Sequence, residues 1–179
     1  MKELSLEEFS SVDIKQQLIS TLCEQPAIDI SIAYNSDFKS AKLLREVVDS
    51  LCKWFAIEPK WRTRLVLIID ELNNNAIEYG SMPGDQNYMN LQLVKNESWD
   101  ITINVAVIDT GLWDQAKTAM EMHSIKKENE NKDFSHHRSI RWRGLFLIIS
   151  HLVDDLYFKD SPQGGLIVGA QKVLQGTQK

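Results

Sequence analysis

Between residues 37 and 107 the chain changes its hydrophobic period once, and that change limits what it can fold into. Phe38, Ala41, Leu44, Val48, Leu51 and Phe55 recur at three- and four-residue steps, the spacing of one apolar stripe on a helix. Leu65, Ile69, Leu72, Ala76 and Tyr79 follow the same steps. Ile101, Ile103, Val105 and Val107 then fall on every second position, as on a half-buried strand. Two long amphipathic helices next to one-faced strands bury their apolar sides best against each other, so the helices are expected to cover a sheet.

The punctuation sharpens this outline. Ser36-Asp37 offers an N-cap for a helix over 37–55, Pro59 suits the first turn of a helix over 60–79, and Gly80 stands where a C-cap would. Ile28, Ile30 and Ile32 predict a strand over 28–33. Residues 88–95 and 101–107 predict two more, with Asn96–Asp100 as their hairpin. Leu4, Phe9, Val12, Leu18 and Leu22 point to a helix near 6–22, capped at Ser5 or Ser10 and ended before Pro26. Residues 112–141 are rich in Lys, Glu, Asn and His without a sustained period, which predicts a long mobile loop. Leu145, Ile148, Ile149 and Leu152 then predict a short helix, and 156–158 and 166–173 two strands joined by a turn at Ser161–Gly165. The expected class is α+β: a two-layer sandwich with a mixed sheet and helices on one face. Residues 1–25 are read as an N-terminal helical extension and 26–179 as one domain, with a lid at about 112–141.

Composition narrows the function classes. The chain has 179 residues, 43% hydrophobic and 25% charged, which suits a single globular domain. Twenty Lys plus Arg against 25 Asp plus Glu give a net charge of −5, which argues against a protein that coats nucleic acid or an anionic membrane. The longest apolar runs, Leu65–Ile69 and Leu145–Ile149, are too short to span a bilayer. The N-terminus is acidic and has no signal-peptide core, so a cytoplasmic location is expected. Cys23 and Cys52, the only cysteines, have neither disulfide-framework nor metal-site spacing.

Three stretches break the core-building pattern. In ELNNNAIEYG, residues 71–80, Glu71 and Asn75 lie four apart and so share a side of a helix. A carboxylate and an amide placed there suit a general base and a ligand for a hard cation; the plainer reading is a solvated flank. In VIDTG, residues 107–111, an apolar strand runs into Asp109 and Gly111. An acceptor at a strand end beside a glycine lets a ligand come close to the backbone, although an Asp-x-Gly turn alone needs no ligand. In RWRGLFLI, residues 141–148, a helix opens beside Arg141 and Arg143, which suits an anionic phosphate as well as it suits a basic loop entering the core.

In this order and spacing, the three stretches resemble the three nucleotide-binding boxes of the GHKL ATPases. Within that superfamily the chain is most similar to the small anti-sigma factor serine kinases of bacterial partner-switching systems. The resemblance covers about residues 28–174 and is carried best by ELNNNAIEYG, RGLFLIISHLVDDLYF and GGLIVGAQKVL. It implies a Bergerat fold with a mostly antiparallel sheet and ATP between helices and sheet. Asn75 matches the Mg²⁺-binding asparagine, and Glu71 the carboxylate that takes a proton from a partner's serine. Asp109 matches the aspartate that reads the adenine amine, and Gly111 the glycine beside it. Arg143, Gly144 and Leu145 match the lid end near the phosphates. The implied partners are a STAS-domain anti-anti-sigma protein and a sigma factor or similar target, with a homodimer and no direct nucleic-acid or membrane partner.

The chain also departs from that pattern. The usual D-x-G-x-G is Asp109-Thr110-Gly111-Leu112-Trp113, and the lid ends in Trp142-Arg143-Gly144 with no glycine between Gly111 and Gly144. Tyr79 stands where a histidine often closes the first box. These departures motivate the alternative, a protein-binding module that keeps the fold without kinase activity. The ATP-binding half of a sensor histidine kinase fits less well, since residues 1–25 contain no histidine. His123 and the His136-His137 pair lack acidic or cysteine partners at ligand spacing. Trp54 and Trp61 flank the bend between the long helices and read as core or interface anchors.

Overall fold

The computed structural model describes residues 1–23, 27–130 and 149–176. Along the chain come β1 (Lys2–Ser5), a 3-10 turn (Leu6–Phe9), α1 (Val12–Cys23), β2 (Ala27–Asn35), α2 (Phe38–Trp54) and α3 (Pro59–Asn75). A π-helical turn (Ala76–Gly80) leads to β3 (Gln86–Lys95), β4 (Ile101–Ile108), α4 (Ala119–Glu130), α5 (Ser150–Leu152), β5 (Asp155–Asp160) and β6 (Leu166–Leu174). The strands form one six-stranded sheet in the order β1-β2-β3-β4-β6-β5. Every neighbouring pair is antiparallel except β1 with β2. The α+β class with a mostly antiparallel sheet is the one expected.

The core follows from the two periods. Across the sheet Ile30 stands opposite Leu91, Leu91 opposite Val105 and Val105 opposite Ala170, and all four are buried. Against this apolar face pack Leu44, Val47, Val48 and Leu51 of α2 and Leu65, Ile68, Ile69 and Leu72 of α3, none more than 2% exposed. Full burial of such side chains is worth roughly 1.5–3 kcal/mol each. A one-residue slip of any strand would turn its whole apolar set away from the helices, which fixes the register. Asp37 caps α2 as its position promised, its carboxylate accepting from the Ser40 N–H at 2.7 Å.

Four local expectations are revised. The first residues add a parallel edge strand before any helix, with Leu4, Leu6 and Phe9 buried against the core; four residues of strand are too few to show a period. The helix expected near 6–22 divides into the 3-10 turn, which Ser5 caps, and α1. Within 112–141, residues 119–130 form α4 rather than loop. Its stripe is short, but Met122 is fully buried, the Ala119 N–H donates to Asp160 Oδ1 at 2.8 Å, and Lys126 Nζ donates to the Leu156 carbonyl at 3.0 Å. Gly80 closes a π-helical turn and is not in the left-handed region. Among the described residues no helix is long and apolar enough to cross a membrane.

Candidate functional site

The apolar stripe of α3 settles where its polar residues go. With Leu65, Ile69 and Leu72 against the sheet, Asn73 and Asn75 are carried inward to 0% and 7% exposure, while Glu71 is half-buried at the edge. Asn75 is therefore no solvated flank residue. Its amide nitrogen is buried without an acceptor among the described residues. Burial holds the Glu71 carboxyl above the usual carboxylate range, and the like charges of Asp70 and Glu78 push the same way.

Immediately after Asn75 the helix widens. The Ser81 N–H donates to the Ala76 carbonyl at 2.9 Å, five residues back, and such wide turns are frequent at functional sites. The turn ends on Gly80, which lies against the carboxylate of Asp109: a β-carbon at Gly80 would overlap Asp109 Oδ2. Absence of a side chain, rather than backbone freedom, is what glycine supplies here.

Asp109 is the first residue past β4. Its N–H donates to the Leu166 carbonyl at 3.1 Å, so the main chain continues the β4–β6 pairing by one residue. Its Oδ1 accepts from the N–H of Leu166 at 2.8 Å and of Gly111 at 3.0 Å. Gly111 and Gly165 have φ of +67° and +83°, and a β-carbon on Gly111 would lie 2.7 Å from Gly165 Cα. A β-carbon on Gly165 would overlap the Asp109 carbonyl. The carboxylate is thus clamped by main chain and 9% exposed. Burial pushes its pKa up to about 6, against the pull of the Leu166 and Gly111 N–H groups. Oδ2 takes part in neither of these bonds and faces Gly80.

The structure therefore brings Asp109, whose Oδ1 accepts from the Gly111 N–H, against Gly80 at the end of the turn that follows Asn75. Arg143, Gly144 and Leu145 lie outside the described residues, as do Arg141, His136 and His137. Trp113, half-buried, lines a hollow of about 530 Å³ together with Ile77, Glu78, Tyr79 and Pro83. His123 packs edge-on against the Phe158 ring at 5.5 Å, and among the described residues no cluster of His, Cys, Asp or Glu could hold a metal unaided. Trp61 packs at the edge of the core, whereas Trp54 is 56% exposed.

Sequence reasoning placed Gly165 in a turn and in the GGLIVGAQKVL stretch but gave it no part in the site, and it missed the contact role of Gly80. It also missed the hydrogen bonds that tie Ser81, Asp85 and Thr110 together. Thr110 N donates to Ser81 Oγ at 3.0 Å and Thr110 Oγ1 to Asp85 Oδ2 at 2.8 Å. The Gly-Gly pair was the one available signal, since adjacent glycines mark a place where main chain must come close.

The donor chemistry fits a magnesium-bound nucleotide. Glu71 and Asn75 offer oxygen atoms of the kind a hard cation takes, and Asp109 Oδ2 can accept from an exocyclic amine. No curated protein matches the chain by sequence. Among solved structures it is similar to a chain in the SiaB–SiaC complex from Pseudomonas aeruginosa, with a TM-score of 0.47, 10% identity, and coverage of 89% of this chain and 97% of that one. A family model for the histidine kinase-like ATPase domain matches residues 34–171, from the end of β2 through α3 and the Asp109 clamp into β6, and the chain belongs to that family.

Proposed function

We propose that this domain binds Mg·ATP and transfers the γ-phosphoryl group to a serine hydroxyl on a STAS-domain antagonist. In the same reading it sequesters a sigma factor or similar regulator once the antagonist is phosphorylated. The observation that carries it is the docking of the Asp109 clamp on the turn directly after Asn75, which joins a base-reading acceptor to a cation-ligating amide.

Each residue then has a part. Asp109 Oδ2 accepts from the adenine amine, its other oxygen already fixed by two main-chain N–H groups. Gly111 allows the base to approach the backbone. Asn75 would hold the magnesium ion through its amide oxygen. Glu71, one helical turn earlier, takes the proton of the serine hydroxyl; its raised pKa makes it a stronger base than an exposed glutamate. Arg143, Gly144 and Leu145 would meet the phosphates. Bound magnesium supplies neutralisation of phosphate charge, in a reaction that asks the protein mainly for positioning.

Trp113, half-buried beside the π-helical turn where the related motif has glycine, favours a second reading: a protein-binding module without turnover. Calorimetry with ATP, ADP and Mg²⁺, followed by incubation with labelled ATP and the antagonist, separates the two. Phosphoserine on the antagonist supports the kinase. Nucleotide binding without phosphoserine removes the transfer step, and a flat titration leaves only the protein-binding module.

A further inference from the structure

A row of buried polar side chains crosses the sheet at the end where Asp109 sits, and the proposed chemistry uses only Asp109 of it. Tyr34 of β2 stands directly opposite Asn87 of β3. Continuing the β3–β4 register by one residue past Tyr88 and Ile108 sets Asn87 opposite Asp109. All three are buried, at 2%, 0% and 9% exposure, in positions that the same strands otherwise fill with Ile32, Met89 and Val107.

Two hydrogen-bonded arms leave this row. The Tyr34 hydroxyl donates to Asn73 Oδ1 at 2.7 Å, reaching α3 two residues before Asn75. Asn87 Oδ1 accepts from Ser81 Oγ at 2.6 Å, and Ser81 Oγ accepts from the Thr110 N–H at 3.0 Å, reaching the residue after Asp109. Burial pushes the Tyr34 phenol well above its ordinary range, so it stays a neutral donor, and the charge of Asp109 pushes the same way. A buried polar group that loses its partner is costly, and a row with alternative apolar fillings is a place where specificity of arrangement replaces simple packing.

We propose that Tyr34 is a positioning residue for the nucleotide site, holding α3 through Asn73 just before Asn75, while Asn87 and Ser81 hold the Asp109 loop through Thr110. This rests on the nucleotide reading given above and extends it: the row sets the spacing between the cation ligand and the base-reading carboxylate. Tyr34→Phe releases the α3 arm, and Ser81→Ala releases the loop arm.

Two measurements test it. In calorimetry, Tyr34→Phe should weaken Mg·ATP binding about tenfold and ADP binding without Mg²⁺ no more than twofold. Ser81→Ala should weaken both nucleotides about equally. Asn73→Ala added to Tyr34→Phe should bring little further loss, because coupled residues are not additive. Binding by Tyr34→Phe within twofold of wild type, or a loss that merely tracks the unfolded fraction seen by circular dichroism, overturns the proposal. If wild type itself binds no nucleotide, the function proposed above fails, and amide hydrogen exchange of the nucleotide-free protein decides the positioning claim. Tyr34→Phe should then speed exchange within 73–80 more than within β4 and β6. Equal protection across these segments overturns the inference.

Discussion

Gly80 and Asp109 touch: the last residue of the π-helical turn lies where its missing side chain would overlap the Asp109 carboxylate. The carboxylate cannot swing away cheaply, because two main-chain N–H groups hold Oδ1. Gly80→Ala should therefore destabilise the fold by about 1–3 kcal/mol, the usual cost of overpacking, although alanine is the better helix former. Urea denaturation measures this. A neutral or stabilising result would show that the turn and the carboxylate separate easily.

The glycines of the clamp should differ from a glycine in open space. Gly84 has φ +90° with nothing near its absent side chain, whereas Gly165 has φ +83° and abuts the Asp109 main chain. Gly84→Ala should cost about 1–2 kcal/mol, for the left-handed backbone alone. Gly165→Ala should cost at least twice that and abolish nucleotide binding. Equal midpoints for the two variants in the same denaturation series would dismiss the clamp as a packing constraint.

The pH dependence of Asp109 has a definite sign. Its pKa rises from 3.8 to about 6 on folding, so the folded state binds the proton more tightly than the unfolded chain. Stability from this group is present below pH 3.8, is lost as pH rises toward 6, and is level above. Relative to Asp109→Asn, the wild type should lose on the order of 3 kcal/mol between pH 3.5 and 7. ATP affinity should run the other way, strengthening above pH 6 as the carboxylate ionises and becomes the better acceptor. A stability difference independent of pH would contradict the burial of this carboxylate.

The two helix residues should separate rate from affinity. Glu71→Gln should lower phosphoryl transfer by about 10²–10⁴-fold and leave the ATP dissociation constant within threefold. Asn75→Ala should weaken Mg²⁺-dependent binding itself and leave ADP binding without Mg²⁺ nearly unchanged. Quench-flow rates and calorimetry on the same variants give both quantities. An unchanged rate in Glu71→Gln would remove its role as the base.

What the sequence by itself determined is the layer plan: the switch from helical to strand period between residues 79 and 88 placed α2, α3, β3 and β4 and required the helices to cover the sheet. Boundaries marked by local chemistry were equally legible, among them the Asp37 cap, the Pro59 start and the Asn96–Asp100 hairpin. Glu71, Asn75, Asp109 and Gly111 were singled out by the resemblance of their stretches, in order and spacing, to known nucleotide-binding boxes, since each stretch alone kept a plainer reading. Tertiary structure decided the rest. β1 and α4 exist because β2 and β5 offer them a partner, and their own segments are too short or too polar to announce it. The clamp on Asp109 joins residues 80, 109, 111 and 165, and the polar row of 34, 87 and 109 reaches 73, 81 and 110 through its two arms. Hydrogen bonds and close main-chain packing act over about 3 Å in space and leave no periodic trace along a chain, so only the folded register could bring these groups together.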